Sequence, residues 1–296
     1  MGVKMDFMKR STPLQVVFPS SITMDTPHLR EKTYKIGLIG RACAIFRVDE
    51  IIIYHDCEGK KCKRQIQLIS SILSYIETPQ YLRKRLFPIS KFLKYAGILP
   101  PLRTPHHPTS KRIGELRIDE CRDGVVIETD GKNSFIDIGV DKTGVLSGKK
   151  LPTNSRVTVK IMDVKKRNIE LQLLKRDEVK DYWGYRVSSS NLSLGKTVKK
   201  MRPALTIATS RKGEKIYNVY KQLQEEMGKS DRLIVAFGSP REGLNEILRR
   251  ENLKLKNVFD FTINTIPDQG TETVRTEEAI FASLALLNNI SQKGTV

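Results

Sequence analysis

The chain of 296 residues is poor in the residue types that most often announce a site: four cysteines, four histidines and one tryptophan. Cys43, Cys57, Cys62 and Cys121 are too few for a disulfide framework at this length, which points to a reducing, cytoplasmic setting. Two of them come close in "CEGKKC". No second Cys or His pair completes a tetrahedral zinc site there, so free thiols and no metal are expected. His28, His55, His106 and His107 lie far along the chain from the Gly- and hydroxyl-rich loops of the second half, which leaves no Ser-His-Asp arrangement. No stretch approaches the roughly 18 apolar residues of a membrane helix. The opening "MGVKMDFMKRSTPLQVVFPS" has neither the apolar core nor the cleavage site of a signal peptide, and Asp6 stands where a myristoylation site needs Ser or Thr. The absence of GxxxxGK[ST] and of GxGxxG removes support for a Walker or a Rossmann nucleotide site.

What the chain has in excess is positive charge, a formal net of +19. It is uneven. Residues 60–103 carry ten Lys and Arg against the single acid Glu77, whereas residues 257–296 are slightly acidic. Such segments attract polyphosphate backbones, and nucleic acid is the expected partner. An anionic membrane surface is the runner-up, without an amphipathic segment to support it.

The apolar pattern reads as α/β at both ends. "LQVVFP" (14–19) and "IIIYH" (51–55) are short continuous apolar runs, as strands buried on both faces show. A helix is expected over about 26–47, and Ile66, Ile69, Leu73 and Ile76 have helical spacing. Residues 99–110, with Pro100, Pro101, Pro105 and Pro108, break the pattern and mark a boundary; His106 and His107 are expected to face solvent there. From Arg112 to about Leu174 the signal is all β: "RVTVKIMDV" and "NIELQLL" alternate around a turn, and "GVVIETDGKNSFIDIGV" supplies two more strands. A small barrel follows, OB-like or SH3-like, of a kind that often binds single-stranded nucleic acid. After Trp183 the strand–helix alternation returns with "ALTIATS", "RLIVAFGSP" and "VFDFTIN". The economical reading is one discontinuous α/β domain, residues 12–100 and 185–296, with a barrel inserted at 105–180.

In parallel sheets ligands bind outside the carboxyl ends of the strands. There the sequence places "TSRKGE", "GSPREGL" and "TIPDQGTETVRT", each small or hydroxyl-rich and each opening a helix. Together they are expected to form one backbone-lined pocket. "GSPREGL" and "NTIPDQGTETVRTEEAIFASLALLN", with "GRACAIFRVDEIIIY" at residues 40–54, resemble the SPOUT, or α/β-knot, RNA methyltransferases. The resemblance is nearest to the archaeal and eukaryotic uridine-N3 group that carries an inserted OB-like domain, and it covers nearly the whole chain.

The resemblance implies a C-terminal trefoil knot, a homodimer packed through it, and a pocket for S-adenosyl-L-methionine. Ser210 and Lys212 would serve it from the first loop, Gly238, Ser239, Pro240 and Gly243 from the second, and Asn264, Thr265, Ile266, Gln269 and Gly270 from the third. Arg241 and Glu242 depart from the family's usual second loop. Thr273 is the expected N-cap of the last helix, and Glu277 and Glu278 suit its first turn, where the dipole favours anions. Methylation of a base such as uridine N3, in structured RNA such as rRNA, builds charge on the ring, which a cation would stabilise. Arg275 is the first choice, with an ion pair to Glu272, Glu277 or Glu278 as its plain alternative; Arg41 is the second, and Glu277 is a weak candidate base. Arg83, Lys84 and Arg85 of "YLRKRLF", with Lys165, Lys166 and Arg167 of the barrel hairpin, are expected to hold the RNA backbone. The rival is an RNA-binding or assembly protein that keeps the fold without turnover.

Overall fold

A computed structural model describes residues 7–57, 59–165 and 168–291. The strands are β1 Leu14–Pro19, β2 Glu50–Tyr54, β3 Cys121–Thr129, β4 Ser134–Asp137, β5 Gly144–Leu146, β6 Arg156–Val164, β7 Ile169–Leu174, β8 Arg186–Ser190, β9 Leu205–Lys215, β10 Leu233–Ala236 and β11 Phe261–Asn264. The helices are α1 Leu29–Ile45, α2 Gly59–Glu77, α3 Gln80–Leu86, α4 Leu194–Lys200, α5 Ile216–Lys229, α6 Leu244–Arg249 and α7 Thr276–Ser291. The described residues fall into two compact units. One comprises residues 7–9, Glu77–Lys91 and Leu102–Gly184; the other Arg10–Ile76, Phe92–Pro101 and residues 185–291.

The larger unit is built on a six-stranded sheet in the order β11-β9-β10-β1-β2-β8. Every pairing in it is parallel. β1 lies between β10 and β2, so the strands before and after the inserted residues complete one sheet, as the economical reading requires. The apolar runs of β1, β2, β10 and the first half of β9 reflect a sheet covered on both faces. Val17, Ile52, Ala208, Ile234 and Ala236 cluster with α4 and α6 residues such as Leu194, Val198, Leu244 and Leu248. The alternate positions Val16, Phe18, Ile51, Ile53, Ile207 and Val235 are equally buried and, by the period of two, point to the other face. α7 packs on α1 and on α5. The sixth strand, β8 in "RVSSS", carries no apolar run, and nothing in its pattern announces it.

The smaller unit holds a closed barrel in the order β3-β4-β5-β7-β6. All its pairings are antiparallel except β5 with β7. Five strands closed in this way make the barrel OB-like. Val126, Ile136, Ile138, Val159, Ile161 and Ile169 fill its interior. The unit also takes in α3 and residues 7–9, where Tyr182 N–H donates to the Phe7 carbonyl at 2.7 Å.

One expectation for this unit needs correction. His106 does not face solvent: it is fully buried. His106 and His107 both present Nε2 to the Glu77 carbonyl, at 2.9 and 2.7 Å. A carbonyl only accepts, so each Nε2 carries a proton. A proline-rich segment without regular structure thus still buries Leu102, Thr104 and His106.

Candidate functional site

The carboxyl edge of the larger sheet carries a cavity of about 550 Å³ between the segments that follow β9, β10 and β11. That volume is within the roughly 300–1,000 Å³ of small-molecule sites.

The first segment is not a loop that opens a helix, as the sequence suggests. β9 runs unbroken to Lys215, but its pairing with β11 jumps from Thr262↔Ala208 to Ile263↔Glu214. Residues 209–213 therefore bulge from the ladder and arch over the cavity. Gly213 is the residue that permits it. A Cβ there would lie 2.7 Å from the Ile263 carbonyl carbon, so only glycine lets the two backbones close again. Thr209 Oγ1 donates to the Ala236 carbonyl at 2.9 Å and ties the arch to β10.

The second segment turns on Ser239. Its hydroxyl accepts from Glu242 N–H at 2.9 Å, and its own N–H donates to the Glu242 carbonyl at 2.8 Å. A Cβ on Gly238 would lie 2.8 Å from that carbonyl. Gly238 thus serves closure of the loop on itself. Gly243 differs: a Cβ there would meet only the mobile end of Glu246. Beneath, the buried Tyr54 hydroxyl donates to the Phe237 carbonyl at 3.3 Å.

The third segment is bound to the first. Asn264 Nδ2 donates to the Arg211 carbonyl at 3.0 Å while its Oδ1 accepts from Ile266 N–H at 3.0 Å. Arg211 Nη1 donates to the Glu272 carbonyl at 2.6 Å, and Gln269 Nε2 to the Thr271 carbonyl at 2.8 Å. The buried hydroxyls of Thr265 and Ser283 pair at 2.7 Å, anchoring the segment on α7. Phe237, Leu255, Ile266, Val274 and Ala279 supply apolar lining.

Ten residues expected from the sequence line this cavity: Ser210, Lys212, Gly238, Ser239, Pro240, Gly243, Asn264, Thr265, Ile266 and Gln269. Gly270 does not; it is exposed at the tip of the third segment with open space around it. Arg241 and Glu242 are also in the lining, and Glu242 holds Arg250 at 2.9 Å. Phe237, Asn245, Leu255 and Thr262 were not foreseen, because neither their type nor their spacing marks them.

The catalytic expectations fare differently. Thr273 does not cap α7, which begins at Thr276. The residue before it is Arg275, whose N–H donates to Glu278 Oε2 at 2.9 Å, so Glu278 closes the helix start as a capping carboxylate. The Arg275 side chain is exposed and outside the cavity lining. Glu277 is not in the cavity lining. It faces α1, with Oε2 3.3 Å from the buried ammonium of Lys35, which also holds Asp25 at 2.9 Å. Arg41 sits on α1 and donates from Nη1 to the Pro101 carbonyl at 2.7 Å.

Of the expected RNA contacts, Arg83 donates from Nε to the Thr78 carbonyl at 2.9 Å, Lys84 is exposed, and Arg85 holds Asp137 at 3.2 Å. Lys165 pairs with Glu170. Lys166 and Arg167 lie outside the described residues. Among the described residues no group of three or more His, Cys, Asp or Glu could hold a metal, and no helix is long and apolar enough to cross a membrane.

A parallel sheet with a small-molecule cavity at its carboxyl edge, joined in one chain to an OB-like barrel, defines a class but no reaction. Comparison with known proteins does. Residues 13–287 match the family described as "Putative RNA methyltransferase", and the chain belongs to that family. A Homo sapiens protein named 28S rRNA (uridine-N(3))-methyltransferase is 34% identical over 94% of this chain and 78% of its own length. Its Mus musculus counterpart is 33% identical over 97% and 79%. An uncharacterized Halobacterium salinarum protein is 31% identical over 92% of this chain and 97% of its own. A solved SpoU methyltransferase from Streptomyces viridochromogenes aligns with 96% of this chain and 61% of its own at 11% identity, with a TM-score of 0.38, too loose to argue from.

Proposed function

We propose that this chain is an S-adenosylmethionine-dependent RNA methyltransferase that acts on a base in structured ribosomal RNA, uridine N3 being the acceptor. The observation that carries the reading is the convergence of the three segments on one cavity, in a chain of an RNA methyltransferase family. The names of the human and mouse relatives support rRNA and uridine N3.

The residues present fit the cofactor. The cavity has the right volume, an apolar side for an adenine ring and polar groups for ribose and carboxylate. Ser210, Lys212, Gly238, Ser239, Pro240, Gly243, Asn264, Thr265, Ile266 and Gln269 would hold it. When bound, the cofactor supplies an electrophilic methyl group on a sulfonium. The protein's part is to hold the acceptor nitrogen in line and to exclude water. The target base must leave its stack to be reached.

Stabilisation of the charged ring falls to a cation. Arg275, exposed beside the cavity, is the first choice, and Arg41 the second. Neither lines the cavity within one chain, which makes a second chain part of the reading. α7 and α1 carry exposed apolar side chains, Phe281 at 46%, Leu286 at 37%, Tyr34 at 52% and Ile45 at 44%. Phe46 and Phe281 meet edge to face with centroids 5.4 Å apart. An apolar face of this kind suits a homodimer. A trefoil knot formed by the last strands and α7 belongs to the same proposal. The four cysteines are free thiols, which suits a reducing cytoplasm.

The test is calorimetric titration of S-adenosylmethionine, followed by transfer of labelled methyl to rRNA. Micromolar binding with label in uridine supports the reading. Binding without transfer to any rRNA would favour an RNA-binding protein without turnover, and no binding by folded protein would remove the cavity from the argument.

A further inference from the structure

The smaller unit has a cavity of its own, about 530 Å³, where the first residues of β6 meet the last residues of β7. Thr158 of β6 stands opposite Leu174 of β7, and the ladder runs from there to Val164↔Ile169, beside the hairpin turn. The cavity and the turn therefore lie at opposite ends of one strand pair, about 20 Å apart. OB-folds usually bind oligonucleotides on their second and third strands, here β4 and β5. No lining residue of this cavity belongs to either.

The more buried lining groups are already committed. Arg156 directs Nε, Nη1 and Nη2 inward, to Asp123, Glu77 and Thr78. Arg176 donates to Glu77 at 2.7 Å. Two guanidinium groups thus face two carboxylates, and a satisfied network of this kind holds the cavity in shape without lending it net charge. Val157, Leu173 and Leu174 are each only half-buried and give the cavity an apolar wall. Lys149 and Lys175 are exposed in the lining and form no ion pair among the described residues, whereas Lys160 holds Asp119 at 2.6 Å and Lys165 holds Glu170. Both lysines are tied by their backbone. The Lys149 carbonyl accepts from Ser134 Oγ at 2.8 Å, and Lys175 N–H donates to Glu178 Oε2 at 2.7 Å. Glu178, the other carboxylate in the lining, is thereby turned to the backbone and leaves the Lys175 ammonium without a counter-charge.

We propose that this cavity seats a nucleotide of single-stranded RNA, its base against Val157, Leu173 and Leu174 and its flanking phosphates on Lys149 and Lys175. The volume suits a group of that size. An apolar wall beside unpaired cations matches a flat base carried on a charged backbone. A free phosphate would leave the wall unused, and an acidic peptide carries its carboxylates on flexible stems in place of a flat ring. The assignment rests on the RNA methyltransferase reading above. It moves the barrel's RNA contact from the hairpin turn, where Lys165 is paired, to the opposite end of β6 and β7.

The experiment compares the wild-type chain with K149Q/K175Q, with L174S and, for the other end of the strand pair, with K165Q. The probe is a fluorescein-labelled oligouridylate of about 12 nucleotides, within the usual site size of such barrels. Anisotropy is read over a salt series, with S-adenosylmethionine affinity measured in parallel. K149Q/K175Q should lose roughly tenfold in RNA affinity, and its slope of log affinity against log salt should shrink by about 1.4, since each single-strand phosphate contact contributes roughly 0.7. L174S should lose about threefold with the slope unchanged, because a contact to a base releases no counterion. K165Q should match wild type, and cofactor affinity should be the same throughout. Equal RNA affinity and slope in wild type and K149Q/K175Q would overturn the seat while leaving methyl transfer, and the methyltransferase reading, intact. Full RNA affinity in L174S would overturn it as a seat for a base, and a loss confined to K165Q would return the contact to the hairpin. An oligoglutamate peptide bound more tightly than the oligouridylate would overturn RNA as the occupant. Wild type that binds neither the oligouridylate nor S-adenosylmethionine would overturn the methyltransferase reading and the seat with it.

Discussion

Around the cavity, hydroxyl and amide side chains tie backbone to backbone: Thr209 to the Ala236 carbonyl, Asn264 to the Arg211 carbonyl, Ser239 across its own turn. In the barrel unit the buried polar groups are ionic and face each other. Glu77 binds Arg156 at 2.7 Å and Arg176 at 2.7 Å, and Asp123 binds Arg156 at 2.5 Å. Trp183 Nε1 and Thr158 Oγ1 complete Asp123, at 2.9 and 2.8 Å. Burial alone would raise the Glu77 carboxyl, but Arg156, His106 and Arg176 outweigh it and hold that group well below the usual carboxylate range. The carboxylate held far below its ordinary range is therefore structural, while the backbone ties that shape the cavity are made by groups that do not titrate. Strong pKa perturbation often marks function; here it marks the lock of the barrel unit.

The largest effect expected of this contrast is on Glu77. Its side chain is 6% exposed, and Glu77→Ala would leave two guanidinium groups facing each other. Breaking a buried pair in this way costs roughly 3–5 kcal/mol. Urea unfolding should show that loss. A change under about 1 kcal/mol would mean that water replaces the carboxylate and that the lock is not one.

The counterpart on the cavity side is Gly213. In Gly213→Val a Cβ 2.7 Å from the Ile263 carbonyl carbon forces β11 away from β9. S-adenosylmethionine affinity should fall about a hundredfold, roughly 2.7 kcal/mol. Calorimetry that finds full affinity would show that the arch of residues 209–213 does not shape the site.

The two units should also part company in acid. Burial first, then the neighbouring His106, lowers His107 from an ordinary 6.5 to about 3. The sign follows from proton uptake. As pH falls below 6.5 the unfolded chain binds a proton that the folded one refuses, so stability falls with pH, at up to about 1.4 kcal/mol per unit. Glu77 adds to the loss only below the ordinary carboxylate range, where the unfolded chain takes up its proton. His107→Gln keeps a donor for the Glu77 carbonyl and should flatten the profile between pH 6.5 and 5. Parallel profiles for the two proteins would place the acid sensitivity elsewhere.

What could be read in advance divides along the same line. Continuous apolar runs gave β1, β2, β9, β10 and β11 because both faces of a parallel sheet are buried, alternation gave β6 and β7, and the three-residue β5 was not located. β8 escaped because "RVSSS" offers no apolar run; it is held by backbone pairing with β2 and by hydroxyls such as Ser188, which donates to Glu50 at 2.8 Å. The cavity was legible because segments beyond parallel strands must converge on one edge. Its shape was not: the arch depends on a register jump between β9 and β11, a pairing property that neither strand encodes by itself. His106 was misread because proline marks the absence of regular structure, which is not the same as exposure. Glu277 was misread because a first-turn carboxylate looks alike whether it faces solvent, ligand or, as here, Lys35.

The smallest effect tests where the cavity's chemistry must come from. The lining holds cations of its own, Arg211, Lys212 and Arg241, of which Arg211 is tied to the Glu272 carbonyl; Arg275 stands beside the lining as a further cation for a charged uridine ring. Arg275 is exposed, and its guanidinium forms no ion pair among the described residues; its backbone N–H alone is engaged, by Glu278. Arg275→Ala should therefore leave S-adenosylmethionine affinity and unfolding unchanged. It should lower methyl transfer about tenfold, near 1.4 kcal/mol, modest because an exposed cation is screened by water. If transfer is unaffected, Arg275 is no more than the residue that starts α7, and Arg41 becomes the group to replace next. If cofactor affinity falls with it, the side chain holds the cofactor and not the base.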